Sequence, residues 1–323
     1  MQHLDVQVIE QALAWARDGD PVWLCTVLAT FGSSPREPGS LLVARRDGQH
    51  VGSLSGGCVE ENFLARLRDG AFDTPITTHR YGEGGDSGVE LPCGGRLDVL
   101  IERLEPTPAT LTHLEVLHAT LLGRRPLVRH VALDSGRVYL REDEGLGPRV
   151  ERIESGDKVR IRIGPAARLI IAGISPVSRA CAEFALGLGF EVIVCDPRAE
   201  ARRGFDLPGV EVQSVLPSLF IASGACHAAT AVVALTHDPR IDDLAMIEAV
   251  RTEAFYIGVM GSRQTSEARA ERLGRSGGLD DDALKKIQMP IGLALGSKTP
   301  AEIALAVMAD IVRVRRGRPR DAL

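Results

Sequence analysis

One short stretch of the sequence restricts the possible folds more than any other. Leu169–Ala172 is a continuous apolar run, as expected of a strand that is buried on both faces. Apolar residues at helical spacing follow in Val177–Leu188, then Gly189 as a helix terminator and a second apolar strand, Glu191–Cys195. Because a strand, a helix and a strand of these lengths form a βαβ unit, we predict a doubly wound, mostly parallel α/β domain over residues 166–323.

The first half of the chain has a different pattern. A helix with apolar residues from Val6 to Ala16 precedes short strands that are separated by turns rich in glycine and proline, which is typical of an α+β domain. We assign residues 1–165 to this domain and place its core in residues 1–105, since the signals weaken after that point. A chain of 323 residues is long for a single apolar core, which favours two domains in an α/β protein.

The composition argues against several classes of protein. Aromatic residues make up 4% of the chain and the net charge is -5, so we expect no binding to nucleic acid. Within the longest run without charge, Val212–His237, the stretch Leu219–His237 is interrupted by polar residues, and we interpret it as a loop and a buried strand rather than a membrane span. The six cysteines form no C-x-x-C pair, and Met1–Asp20 lacks the features of a secretory signal. We therefore expect a cytoplasmic protein with reduced thiols.

Two glycines precede a cysteine where a strand is predicted to pass into a helix. At Gly56, Gly57 and Cys58, bare backbone amides and the positive end of the helix dipole would favour an anion. The same dipole would lower the pKa of the Cys58 thiol and favour its thiolate, which is a nucleophile and a soft-metal ligand. A capped helix with Cys58 as a small buried filler is the alternative, and the local sequence leaves both open.

Cys93, Gly94 and Gly95 repeat this combination at the entry to a later strand. If the two cysteine loops converge, the domain offers two thiols, several amides and nearby polar residues such as Arg36 and Arg80. That set would suit a polyanionic, sulfur-rich or metal-bearing ligand. The spacing alone does not bring the two loops together.

The second domain has the context of a dinucleotide site without its glycines. Gly173, Ser175 and Pro176 lie between the first predicted strand and its helix, and Asp196 follows about 20 residues later, where a ribose hydroxyl would be bound. Ser175 carries a side chain and Pro176 lacks an amide donor, so close approach of a pyrophosphate is hindered. Asp196 could equally be a strand-end cap.

Two further strand ends carry polar residues. His237, between Thr236 and Asp238, could be an acid–base group or a ligand, or it could belong to an ordinary helix start capped by Asp238. Gly261, Ser262 and Arg263 follow the next strand, where turn amides and the guanidinium group could bind phosphate.

Taken together, these motifs resemble the XdhC/CoxI family of molybdenum cofactor maturation chaperones (xanthine dehydrogenase accessory proteins) over almost the whole chain. The matching segments are Gly32–Arg36, Gly39–Val43, Gly52–Glu60, Cys93–Gly95, Cys195–Arg198, Leu235–Asp238, Tyr256–Arg263 and Pro290–Glu302. The Gly-Gly-Cys-Val-Glu form of the third segment is similar to the CoxI-type branch. The sequence departs from the family at Gly173-Ile-Ser-Pro176, where a Gly-x-Gly-His turn is usual.

The resemblance implies a family-specific N-terminal domain followed by a Rossmann-like domain. It further implies that the protein binds the molybdenum cofactor, as molybdopterin or its dinucleotide, protects the sulfurated form and inserts it into a xanthine dehydrogenase family enzyme. We expect a cysteine desulfurase as a second partner, and a homodimer. The resemblance places Arg36, Cys58, Glu60 and Cys93 on family motifs, with the two thiols as candidate molybdenum ligands. The other candidate cofactor-binding residues are Gly56, Gly57, Gly94, Gly95, Gly173, Asp196, His237, Gly261, Ser262 and Arg263.

We therefore expect a non-catalytic carrier rather than an enzyme, with weak or absent NAD(P) binding. Two alternatives stay open, namely an NAD(P)-dependent Rossmann oxidoreductase and a cysteine-dependent sulfur carrier that acts through Cys93 or Cys58. Bound pterin and molybdenum would support the carrier. A substrate-dependent change in NAD(P)H absorbance would support the oxidoreductase, and a persulfide mass shift would support the sulfur carrier.

Overall fold

The computed structural model describes residues 3–31, 36–57, 59–82, 85, 95–123, 125–143, 148–153 and 157–320. The chain divides into two compact units, of which the first comprises residues 4–165 and the second His3 with the chain from Ala166 onward. The first unit contains α1 (Leu4–Arg17), β1 (Val22–Phe31), β2 (Leu41–Ala44), β3 (His50–Gly52), α2 (Glu60–Arg68), β4 (Ile76–Gly82), β5 (Arg96–Leu104), α3 (Pro108–Leu122), β6 (Leu127–Ala132), β7 (Val138–Glu142), β8 (Val150–Ile153) and β9 (Lys158–Ile163).

The second unit alternates strands and helices. It contains β10 (Arg168–Ala172), α4 (Pro176–Gly187), β11 (Glu191–Cys195), α5 (Ala199–Arg203), β12 (Val210–Gln213), α6 (Pro217–Phe220), a π-helical turn (Ile221–Ala225), β13 (Thr230–Ala234), α7 (Pro239–Ala249), β14 (Tyr256–Val259), α8 (Arg263–Arg275), α9 (Asp281–Lys285), β15 (Ile287–Gln288) and α10 (Pro300–Arg315). In the described part of the chain, no helix is both long and apolar enough to cross a membrane.

The first unit is built around an antiparallel sheet of five strands, which we call sheet A, in the order β3-β2-β1-β5-β4. One face packs on α2 through a buried cluster that includes Trp23, Phe63 and Tyr81. Helix α1 packs on β2, β3 and α3. This arrangement buries β1 almost completely and leaves only its last residues partly exposed.

A second antiparallel sheet, sheet B, follows in the order β7-β6-β9-β8. A buried ion pair joins it to sheet A, because Arg129 of β6 donates two hydrogen bonds of 2.7 Å to the carboxylate of Glu102 of β5. The remaining Nε–H of Arg129 is donated to His113 of α3 at 3.1 Å. Pairing and full hydrogen bonding offset the cost of burying these charges and fix the two sheets and α3 together.

The second unit has a six-stranded parallel sheet, sheet C, in the order β12-β11-β10-β13-β14-β15. This is the strand order of a Rossmann fold, with its topological switch point between β10 and β13. Apolar clusters cover both faces, one with α4 and α10 and the other with α7, which explains why β10 and β13 are continuous apolar runs. The predicted α/β fold class and Rossmann-like second half are confirmed.

Local sequence explains where these helices begin. Ser175 caps α4 by accepting the amide of Ser178, and Asp238 caps α7 by accepting that of Arg240. At α10, Thr299 and Glu302 form a reciprocal capping box. The caps at Ser175 and Asp238 come shortly after the carboxyl ends of β10 and β13. They therefore help to position the loops that are described below.

Candidate functional site

Several loop-bearing strand ends meet at one end of sheet A. The register pairs Phe31, the last residue of β1, with Arg96, the first residue of β5, and pairs Arg96 with Gly82 at the end of β4. The last residue of β3, Gly52, pairs with Leu42 of β2, which pairs with Cys25 of β1, so β3 points towards this end but stops six positions before Phe31. A Cβ atom on Gly82 would lie 2.1 Å from the carbonyl oxygen of Gly95, so the two backbones approach each other too closely for any other residue. Gly95, the last residue of the second cysteine motif, therefore lies at this end of sheet A, and Val59, which follows Cys58, belongs to the buried cluster that also contains Tyr81 and Leu97 of the same strand ends.

The segment between β3 and α2 is organised around the carboxylate of Glu60. Oε1 accepts hydrogen bonds from Ser53 Oγ at 2.7 Å and from the amides of Leu54 and Ser55 at 2.9 and 3.0 Å. Oε2 accepts Ser55 Oγ at 2.7 Å and the amides of Gly57 and Val59 at 3.0 and 3.2 Å. One buried side chain therefore holds both sides of the turn.

These hydrogen bonds set the protonation state of Glu60. Burial by itself would raise the pKa of this carboxyl group, but the donors of Ser53, Ser55 and Leu54 outweigh that effect and lower the pKa to about 2. Glu60 is consequently an ionised anchor of the loop at neutral pH.

The structure differs here from the expectation of freely exposed loop amides. The amide of Gly57 donates to Glu60, and the amide of Gly56 donates to Ser53 Oγ at 2.8 Å. A fixed internal carboxylate occupies the position that an external anion was expected to take. The first-turn amides of α2 keep the general donor capacity of a helix start, while the amide of its N-cap residue, Val59, donates to Ser55 Oγ at 3.0 Å and to Glu60.

The other predicted residues of this unit are placed as follows. Arg36 donates from Nε to the carbonyl oxygen of Ser53 at 3.2 Å, which brings it to the loop that Glu60 holds. Cys58, Cys93 and Gly94 lie outside the described residues. Among the described residues, no group of three or more His, Cys, Asp or Glu side chains is arranged to bind a metal ion.

In the second unit, Gly173 lies directly after β10 at the topological switch point. Its φ is +81°, and a Cβ atom there would lie 2.0 Å from Cγ2 of Thr236, which follows β13. Only glycine allows the two strand ends to approach this closely. The loops that begin at Gly173 and at Thr236 therefore adjoin one another at the carboxyl edge of sheet C.

Asp196 is fully buried and engaged by its own neighbourhood. Oδ2 accepts the amide of Ile174 at 2.6 Å, and both oxygens accept donors from Arg198, including Nη2 at 2.6 Å. Burial would raise the pKa of Asp196, but the hydrogen bonds from Arg198 and Ile174 outweigh it and lower the pKa. A ribose hydroxyl would have to displace an arginine to reach this carboxylate.

His237 is exposed at the same edge and has a φ of +66°, which is uncommon for a residue other than glycine. Its amide donates to the carboxylate of Asp242 at 2.9 Å, and Asp242 also accepts the hydroxyl of Thr236 at 2.7 Å. Asp242 is fully buried beside Arg269, whose Nη2 lies 3.5 Å from Oδ2. Burial raises the pKa of Asp242. Sequence reasoning missed Asp242 and Arg269, although an Asp in the first turn of the helix after His237 was the available signal.

The third predicted group lies at the start of α8. Ser262 caps this helix by accepting the amide of Thr265 at 3.1 Å, and Arg263 occupies the first helical position with an exposed side chain. A Cβ atom on Gly261 would lie 3.4 Å from Nη1 of Arg269 and 3.5 Å from Oγ of Ser266. Gly261 therefore lies next to the arginine that is buried beside Asp242.

Comparison with known proteins places this geometry in a family. Residues 15–82 match the model of the XdhC and CoxI family, and residues 169–311 match the model of the XdhC Rossmann domain. The chain belongs to the XdhC and CoxI family. The resemblance read from the motifs is thereby confirmed, while membership of the CoxI-type branch stays a prediction.

Related proteins match over almost the full length of the chain. The molybdenum cofactor insertion chaperone PaoD of Escherichia coli (strain K12) is 26% identical over 323 residues, covering 98% of this chain and 90% of the relative. A probable xanthine dehydrogenase subunit from Bacillus subtilis (strain 168) is 26% identical over 326 residues, covering 94% and 96%. The crystal structure of a xanthine dehydrogenase from Bacillus halodurans has a TM-score of 0.74 and 23% sequence identity, covering 100% of this chain and 98% of that one. This last likeness supports the fold.

Proposed function

We propose that this protein is a molybdenum cofactor chaperone, which binds the cofactor as cargo and inserts it into an enzyme of the xanthine dehydrogenase type. The observation that carries the proposal is the similarity to PaoD, a molybdenum cofactor insertion chaperone, over 98% of the chain. In finer detail, we propose that the protein binds molybdopterin or its dinucleotide, protects the sulfurated form and receives it from a cysteine desulfurase. We also propose that it acts as a homodimer in the cytoplasm.

The end of sheet A supports this proposal. A cargo that carries a metal, sulfur atoms and phosphate needs donors held in a fixed arrangement, and Glu60 fixes the loop between β3 and α2 through six hydrogen bonds. Arg36 is hydrogen bonded to the same loop. We propose Cys58 and Cys93 as the thiols that contact the molybdenum centre, since Gly95 lies at this end of the sheet and Val59 packs in the same cluster as Tyr81 and Leu97.

The alternative of an NAD(P)-dependent oxidoreductase finds less support in the geometry of the second unit. The Nη2 of Arg198 donates to Asp196 at 2.6 Å, where a ribose would be bound, and Ser175 caps α4 where a pyrophosphate would approach. For the sulfur carrier, the discriminating observation is a persulfide on Cys58 or Cys93 in protein that carries no pterin.

The test is the small-molecule content of the purified protein. Protein produced in cells that make the molybdenum cofactor is expected to release a pterin, identified by mass spectrometry after acid treatment, together with molybdenum in a comparable amount. Cys58→Ala and Cys93→Ala should each lose most of this content without unfolding, whereas Cys226→Ala, a partly buried thiol of the second unit, should retain it. Protein without pterin and molybdenum would contradict the proposed function, and normal content in both thiol variants would contradict the proposed ligands.

A further inference from the structure

We propose that Arg96 and Arg152, together with Arg80 and Asp98, form a subsite for a phosphate ester or diphosphate group. The inference deepens the proposed function and rests on it for the identity of the cargo, because it names the part of the cargo that this end of sheet A would hold. The arrangement of the residues was not evident from the sequence, where Arg152 is separated by more than fifty residues from the other three.

The four side chains converge across three strands of two sheets. Asp98 of β5 pairs with Arg80 of β4 in the register of sheet A, and Arg80 donates to Asp98 from Nε at 2.7 Å. Arg96 Nε lies 3.9 Å from the same carboxylate, and Arg152 Nη2, from β8 of sheet B, lies 4.0 Å from it. Three guanidinium groups therefore surround one carboxylate whose side chain is 10% exposed.

This arrangement leaves a surplus of positive charge and of hydrogen-bond donors. Among the described residues, Asp98 is the one carboxylate that Arg96 and Arg152 contact, and the buried Nε of Arg96 has no hydrogen-bond partner. Each guanidinium has five N–H donors, and one carboxylate accepts only about four hydrogen bonds. A second anion with two negative charges would balance the charge and accept the donors, as phosphate does in bidentate contacts with arginine.

An aromatic ring helps to fix the geometry. Cζ of Arg96 lies 3.8 Å from the ring centroid of Phe31, which is the closest cation–π contact described in the chain, and Phe31 is 49% exposed. The ring therefore supports the guanidinium from one side while its remaining surface stays open to a ligand. An exposed Phe at a strand end has no role in the core, so we infer that it packs against the part of the ligand next to the phosphate group.

The position of the subsite agrees with the cargo site proposed above. Arg96 directly follows Gly95, the last residue of the Cys-Gly-Gly motif, and pairs with Gly82 and Phe31 at the loop-bearing end of sheet A. A phosphate group bound here would anchor the cargo next to Gly95, the last residue of the Cys93 motif.

The test uses inorganic pyrophosphate as the probe and the full chain, produced in cells that cannot make the molybdenum cofactor. Calorimetric titration should show binding by the unaltered chain, and Arg96→Ala and Arg152→Ala should each weaken it about tenfold or more. Arg137→Ala serves as the matched control, since this arginine next to β7 donates from Nε to Ser135 Oγ at 3.2 Å and takes no part in the group around Asp98. No binding by the unaltered chain, or equal affinities in all four proteins, would overturn the inference.

Two further variants separate a binding role from a structural one. Arg96→Lys keeps the charge and the aliphatic stem but loses the planar donors, so it should stay folded and bind pyrophosphate severalfold more weakly. Asp98→Asn removes the carboxylate that competes with the ligand and should tighten binding, whereas weaker binding in this variant would count against the inference.

The outcome is independent of the outcome for the proposed function. Pyrophosphate binding that depends on Arg96 and Arg152, in a chain that never acquires pterin or molybdenum in competent cells, would sustain the subsite and contradict the chaperone role. A chain that carries the cofactor but binds pyrophosphate equally well after both substitutions would sustain the chaperone role and contradict the subsite.

Discussion

At the scale of single residues, Glu60 offers the sharpest test of how the loop between β3 and α2 is held. Glu60→Gln keeps the shape of the side chain but replaces one acceptor oxygen by a donor, which then faces donors of the loop. We expect the free energy of unfolding at pH 7 to fall by about 2 kcal/mol, the range for hydrogen bonds to a charged group. Urea unfolding of both proteins measures the difference, and Glu61→Gln, an exposed neighbour in the same helical turn, is the control.

The pH dependence of this effect has a definite sign. The folded-state pKa of Glu60, about 2, is below the unfolded value of about 4.3, so the carboxylate contributes its full stability above that unfolded value. The contribution is lost as the pH falls towards 2. The difference between the original chain and Glu60→Gln should therefore be smaller at pH 3 than at pH 7, and a difference that grows on acidification would contradict this account.

Residue identities could be found from the sequence, but their partners could not. Glu60, Arg36 and Asp196 were each singled out from motifs, yet the sequence does not show that Glu60 accepts the loop amides. It also does not show that Arg198 closes off Asp196, although the two residues are only two apart. Hydrogen bonds of this kind depend on the backbone conformation of the turn. A turn with the same glycines can adopt several conformations, and each would bring different donors to the carboxylate.

At the scale of elements, the turn after β13 stores conformational strain at His237. A residue with a Cβ atom in the left-handed region costs about 1–2 kcal/mol, and glycine avoids that cost but loses more entropy on folding. We therefore expect His237→Gly to be as stable as the original chain or up to about 1 kcal/mol more stable, and His237→Val to be clearly destabilised because its branched side chain fits this region poorly.

Thermal unfolding of the two variants measures this prediction. His237→Asn is the control, since Asn tolerates the left-handed region better than most residues. A loss of stability in His237→Gly comparable to that in His237→Val would show that the side chain of His237, rather than its backbone, supports the fold. If His237→Gly stays stable but the protein loses cofactor, His237 serves binding rather than stability.

Strands that form a continuous apolar run were the most predictable elements. The sequence predicts β10 and β11 within one residue of their observed bounds. It misses β8, whose residues alternate weakly, and α8, where only Ser266, Arg269 and Leu273 are buried. Helix α8 is held by ion pairs from Arg269 and Arg272 to Asp243, and periodicity of apolar residues carries no information about such contacts. The run at 219–237 also begins with helical turns rather than a loop.

At the scale of the whole molecule, the architecture follows from two kinds of sheet. Sheet A and sheet B are antiparallel, and the alternation of polar and apolar residues along their strands is weak in the sequence. Sheet C is parallel, and its central strands are apolar throughout. The second unit was therefore predictable in outline down to its Rossmann character. For the first unit only the α+β class could be predicted, because the joining of two sheets by Arg129 and Glu102 leaves no local pattern.

The predicted boundary between residues 165 and 166 leads to a test of autonomy. Residues 166–323 include all six strands of sheet C and the apolar clusters on both of its faces, and a domain of about 150 residues buries enough surface to fold alone. Expressed separately, this segment should show α/β circular dichroism and a cooperative thermal transition. A segment that starts at Glu191 lacks the central strand β10 and the helix α4 that packs on α10, so it should fail to fold. If residues 166–323 are unfolded while the full chain is folded, the second unit depends on the first, and the predicted boundary does not mark an independent domain.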